Sequence, residues 1–152
     1  MKTLNTIAAT ATIVLTLVSG HVLADQEGKV TIINNLGVSV SGHQSTTVTN
    51  VNDDITIGAN SQDTFNAASE TSGIPTTNNV LLSIPAPEGE SPADTNFSLN
   101  MTCNSDGCYY SSTMNGQPDW LVCTGDCEAN GANFTSKSVT LSYSTTSHKK
   151  KK

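Results

Sequence analysis

The sequence predicts an all-β protein: an antiparallel β-sandwich, or flattened barrel, of about 8–10 short strands with two disulfides. Three observations support this. Apolar and polar residues alternate with period two along most of the chain, and beyond residue 24 no long apolar helical stretch occurs. Asn, Asp, Gly and Pro cluster where the alternation stops, which is the chemistry of turns. The four cysteines come in two close pairs, an even count that suits oxidation after export.

The first 24 residues read as a secretory signal peptide. Lys2 is positive, Ile7–Val18 is apolar, and Val22-Leu23-Ala24 offers a small-residue cleavage site before Asp25. The apolar run is shorter than the ~20 residues of a membrane span. A single β-sandwich domain is expected over 25–145, followed by a basic tail over 146–152.

Strands are expected from Lys29–Ile33 and Val38–Ser41, joined as a hairpin by Asn34-Asn35-Leu36-Gly37. Thr46–Val51 and Ile55–Ile57 are expected to flank a turn at Asn52-Asp53-Asp54. Asp63–Asn66 is a further short strand, with at most one helical turn over Asp63–Glu70. Val80–Ile84 is apolar throughout and reads as a buried strand. Phe97, Leu99 and Met101 alternate, as do Val139, Leu141 and Tyr143. Tyr109-Tyr110 and Trp120–Val122 complete the set. Residues 67–79 and 85–94 read as long polar connections, the second holding three prolines. The polar partners along the strands are mostly Ser, Thr and Asn, so one sheet face should be solvated without charge.

Cys103 and Cys108 bracket Asn-Ser-Asp-Gly, and Cys123 and Cys127 bracket Thr-Gly-Asp. Four cysteines allow three connectivities. Two local pairs are favoured because each tight turn brings its ends within disulfide reach. Crosslinks between the clusters are the rival, and a four-thiolate zinc site is a third reading. The bonds would stiffen loops around Trp120, with Tyr109 and Tyr110 close in sequence. These three aromatics can form either a ligand platform or, for Trp120 especially, part of the core.

The chain has 152 residues, a formal charge of −6 and no arginine. Four of its seven lysines are the terminal run Lys149, Lys150, Lys151 and Lys152, and a fifth lies in the leader. Between these ends, Lys29 and Lys137 face thirteen acids. A folded basic face for nucleic acid is therefore excluded. The tail can contact anionic lipid or polysaccharide, at roughly 1 kcal/mol per lysine, in a salt-sensitive way. It can equally be a solubilising tail, or one that folds back on the acidic body.

No cofactor is expected, although calcium could be held by Asp119, Asp126 and Glu128 of the disulfide loops, or by Asp53 and Asp54. The turn-forming role of such side chains is the competing reading. No GxSxG or dinucleotide motif is present. Glu88 and Glu90 are the nearest approach to a glycosidase pair, but they sit in a proline-rich loop where burial would not tune them. Cleavage after Gly20 would expose His21, and with His43 or His148 it could hold copper, as in lytic polysaccharide monooxygenases. The residues favour a secreted, non-enzymatic protein that presents its stiffened loops to an extracellular glycan, lipid headgroup or protein. It would be a bacterial exoprotein or host-interaction factor. A small carbohydrate-active enzyme, hydrolytic or copper-dependent, is the alternative. Asn96, Asn100 and Asn133 open N-x-[ST] triplets, which matter only in a eukaryotic secretory pathway.

Cys-Thr-Gly-Asp-Cys at 123–127 and Lys-Val-Thr-Ile-Ile-Asn-Asn at 29–35 resemble pieces of thaumatin-like proteins. That family is larger, carries more disulfides and spaces the cysteine motif with an extra residue. Phe-Ser-Leu-Asn at 97–100 is also similar, but precedes the cysteine motif where the family has it following. The resemblance stops at these short motifs, and no site residue is carried over from it.

Overall fold

A computed structural model describes residues 26–47, 52–69, 74–91 and 94–145. The expected leader with His21, and the tail with His148 and Lys149–Lys152, lie outside the described residues. Ten strands follow in chain order: β1 (Glu27–Asn34), β2 (Val40–Thr46), β3 (Asn52–Ile57), β4 (Ser61–Ala68), β5 (Thr76–Pro85), β6 (Asp94–Asn104), β7 (Gly107–Met114), β8 (Leu121–Gly125), β9 (Ala129–Asn133) and β10 (Ser136–Tyr143). No helix occurs among the described residues. The all-β class expected from the alternation is the class found.

The strands form two sheets. One has four strands in the order β4-β1-β10-β8, the other six in the order β3-β2-β5-β6-β7-β9. Pairing is antiparallel except between β1 and β10, which run parallel. Alternate residues of both sheets point inward and meet in one core. The four-stranded sheet supplies Val30, Ile32, Phe65, Val139 and Leu141. The six-stranded sheet supplies Val80, Leu82, Ile84, Phe97, Leu99 and Met101. Strand β6 shows the pattern most plainly, exposed and buried residues exchanging at every step through Met101. Burial of these side chains, at roughly 1.5–3 kcal/mol each, drives the two sheets together.

Two sequence expectations are corrected. Asn34–Gly37 does not close a hairpin, because β1 and β2 belong to different sheets. The reason is Asn34, which is fully buried. Its Nδ2 donates to the carbonyls of Val38 (2.8 Å) and Gly58 (2.9 Å), with that of Ile57 at 3.1 Å. Its Oδ1 accepts from the Leu36 N–H. The amide therefore clamps the crossover between the sheets to the end of β3, and a buried amide finds no water to substitute. Asn52-Asp53-Asp54 likewise is not a turn. It begins β3, where these residues pair with Ser45, Gln44 and His43. Edge position explains the tolerance of two carboxylates there, since only one side of the strand is paired. The stretch from Asp63 contributes no helical turn through Ala68, because residues 61–68 are strand β4, and Glu70 lies outside the described residues.

Both disulfides are the local pairs, Cys103–Cys108 and Cys123–Cys127. With every cysteine oxidised, neither the crosslinked alternatives nor a four-thiolate zinc site applies. Cys103 and Cys108 sit opposite each other across the β6–β7 hairpin, inside the core. The disulfides fit an oxidising compartment. Among the described residues no helix is long and apolar enough to cross a membrane.

Candidate functional site

The outer face of the six-stranded sheet follows directly from the alternation. Val40, Leu82, Phe97 and Tyr110 point inward, so their neighbours point out. Strand register then aligns these outward residues in rows across the sheet. One row is Thr56, Ser41, Ser83 and Asn96. The next is Asp54, His43, Leu81, Ser98 and Thr113. A third is Asn52, Ser45, Asn79, Asn100 and Ser111. The last is Thr77, Thr102, Tyr109 and Asn133. All are exposed or half-buried. The only carboxylate among them is Asp54, on the edge strand.

Leu81 breaks this polar field. It stands near the middle of the sheet and is 51% exposed. Two shallow grooves flank it and share it with His43. One, of about 520 Å³, is lined by Ser41, Ser83, Asn96 and the β3 residues Asp54 to Thr56. The other, of about 350 Å³, is lined by Ser45, Asn79, Ser98, Asn100, Ser111 and Thr113. Gly42 shapes this floor. A Cβ there would lie 2.1 Å from the Leu81 carbonyl oxygen, so only glycine lets β2 approach β5 so closely.

His43 is the one imidazole of the face. Its Nε2 faces Asn52 Oδ1, and its Nδ1 lies 3.2 Å from Asp54 Oδ1. Two oxygen acceptors suit a ring protonated on both nitrogens. The contact with Asn52, then that with Asp54, raises the His43 pKa above its ordinary 6.5. Asn79 accepts a hydrogen bond from the Asn100 amide, which fixes the orientation of both side chains within the second groove.

The residues singled out in the sequence gather elsewhere, and they do not all reach solvent. Trp120 is 4% exposed and packs edge-on against Tyr143, with ring centres 6.2 Å apart. Tyr110 is 3% exposed and packs on Phe134 at 5.0 Å. Of the two readings open for these rings, the core reading fits Trp120 and Tyr110, because a small sandwich buries its largest apolar surfaces first. Tyr109 lies on the outer face, half-buried, in the last row.

Asp126 ties the Cys123–Cys127 loop to the sandwich. Its Oδ1 accepts from the Tyr110 hydroxyl at 2.9 Å and pairs with Lys137 Nζ at 3.2 Å. Its backbone joins Ser138 and the Ser112 hydroxyl. Burial alone would raise its pKa. The Tyr110 hydroxyl, the Lys137 ammonium and the Ser138 backbone outweigh that and hold it below 3.8. Burial, then the Asp126 carboxylate, pushes Tyr110 up to about 12. Asp119 and Glu128 are exposed. Among the described residues no three His, Cys, Asp or Glu side chains gather into a metal-holding group.

The sequence implied an uncharged solvated sheet face but did not assign it a role. The alternation of Ser, Thr and Asn was visible, whereas the rows exist only once register is known. The fold and this face define a disulfide-bonded, two-sheet β-sandwich with a polar platform whose charges are confined to the His43–Asp54 pair at its β3 edge. No protein-family model and no curated protein matches the chain.

Proposed function

We propose that this is a secreted, non-enzymatic binding protein, and that it meets its extracellular ligand with the outer face of the six-stranded sheet. The observation behind this is the face itself: four rows of Ser, Thr and Asn around an exposed leucine, with two grooves, on an otherwise acidic body. Outside the His43–Asn52–Asp54 cluster and the Asn79–Asn100 pair, most of the outward hydroxyls and amides of these rows remain available to a partner. Strand pairing across the sheet, with the Cys103–Cys108 bond across the β6–β7 hairpin, holds the rows in place and keeps the entropy cost of binding low. The imidazole of His43 has both nitrogens directed at neighbouring oxygens, a static arrangement that suits a contact surface better than proton transfer.

The test immobilises neutral and acidic polysaccharides, anionic vesicles and extracellular-matrix proteins, and measures binding of the oxidised chain from Asp25. Ser98→Arg, in the middle of the face, should abolish whatever binding is found. Glu128→Gln, in the disulfide loop, should leave it unchanged. The reverse result would move the contact surface to the loops and overturn the proposal. Deleting residues 149–152 provides a further arm. Vesicle binding that disappears with the deletion, and at physiological salt, assigns the anionic-surface contact to the lysine tail. N-terminal sequencing of exported protein decides between a terminus at Asp25 and one at His21, where copper chemistry would become available.

A further inference from the structure

We infer that the ligand of this face is a neutral polysaccharide chain, laid across the sheet through both grooves. This rests on the proposed contact surface and adds the ligand class.

The first argument is charge. Within the sandwich only Lys29 and Lys137 oppose the acids, and neither lies in the four rows. Lys29 pairs with Glu27 at 3.2 Å, and Lys137 with Asp126. Phosphate, sulfate or uronate groups would therefore meet no lysine on the face, and the one imidazole there, His43, is already paired with Asp54 at 3.2 Å. Nucleic acid, anionic lipid and acidic glycans are all disfavoured there. A ligand without charge pays no such penalty.

The second argument is hydrogen-bond chemistry. Sugar hydroxyls both donate and accept. So do the hydroxyls of Ser41, Ser98, Ser111 and Thr113, while each Asn amide offers both functions in a fixed fork. Asn79 and Asn100 are already oriented by their mutual bond. Leu81, 51% exposed between the grooves, supplies an apolar patch for the C–H face of a pyranose.

The third argument is shape. The grooves are open and lie on either side of one residue, so they accept successive units of a chain rather than one enclosed sugar. With no Phe, Tyr or Trp among their lining residues, affinity per unit is low, and length of chain provides avidity.

The experiment is titration of the oxidised protein with neutral oligosaccharides of increasing length (glucans, mannans, xylans and galactans), beside heparin and alginate, at low and physiological salt. We expect at least one neutral series to bind, more tightly with length, and with affinity changing less than about two-fold across the salt range. Ser98→Arg should weaken that binding by about ten-fold or more, and Leu81→Ala by about three-fold. Far-UV circular dichroism checks the fold of each variant; if Ser98→Arg does not fold, Asn100→Asp takes its place. Failure of every neutral series overturns the inference. Binding of only a charged or protein ligand that Ser98→Arg abolishes also overturns it, while leaving the contact surface in place. Neutral-glycan binding that survives Ser98→Arg and Leu81→Ala overturns both.

Discussion

The outer face of the large sheet and the Asp126 corner both present polar side chains but use them in opposite ways. At the corner, Tyr110, Ser112, Asp126 and Lys137 turn toward one another, so each group is satisfied within the protein. On the face, Ser, Thr and Asn turn outward in four rows across the six strands, and water is the default partner of most. The difference lies in which side of the strand a residue occupies. Tyr109 and Tyr110 are neighbours in sequence, yet one lies on the platform and the other in the core. Polar groups that close on each other stabilise the fold. Those left open cost little to the fold and can be used by a ligand.

The comparison can be broken at its strongest point first. Asp126→Ala removes the acceptor shared by Tyr110 and Lys137, and should cost about 2 kcal/mol, a value reduced by the partial exposure of the site. Urea unfolding at neutral pH measures it, and a loss within error would reduce the corner to a surface ion pair. Tyr110→Phe removes only the hydroxyl and should cost about 1 kcal/mol. The double variant should cost less than the two losses added together, since both remove the same hydrogen bond.

Titration sharpens the same contrast. Asp126 has its pKa lowered by folding, so its contribution to stability is present above 3.8 and lost as pH falls through the folded value. Tyr110 has its pKa raised to about 12, so its contribution is present below 10.0 and lost as pH rises toward 12. The urea midpoint should therefore drop at both extremes. Tyr110→Phe should reduce the alkaline drop without removing it, because burial also raises Tyr143. An alkaline limb identical in the wild type and Tyr110→Phe contradicts this assignment.

The smallest effects belong to the face. Ser98→Arg and Thr113→Ala should change stability by no more than about 0.5 kcal/mol. A larger loss would show that the face is part of the structural framework. His43 should titrate above 6.5 by NMR, and Asn52→Ala should bring it back toward that value. No movement on Asn52→Ala would remove Asn52 as the principal cause.

The sequence by itself determined the class of fold and most strands, and it favoured the local disulfides that the structure then decided. These rest on local physics: period-two alternation marks a strand with one buried side, and a tight turn places its flanking cysteines within reach. Alternation through Phe97, Leu99 and Met101 put each of them inside, where the structure has them. What only the tertiary structure decided is which strands are neighbours. Asn34-Asn35-Leu36-Gly37 has the composition of a hairpin turn, but the Asn34 side chain meets carbonyls of Val38, Ile57 and Gly58, and the chain crosses between sheets instead. Asn52-Asp53-Asp54 looks like a turn by composition, yet pairing with β2 makes it an edge strand. The rows on the outer face depend on the same information. Leu81 stands beside His43 and Ser98 through backbone pairing across 38 and 17 residues of sequence, and hydrogen bonds between strands carry no local signature of their partner. A residue's side of the strand is written in its immediate neighbours, whereas its company on that side is set by the whole sheet.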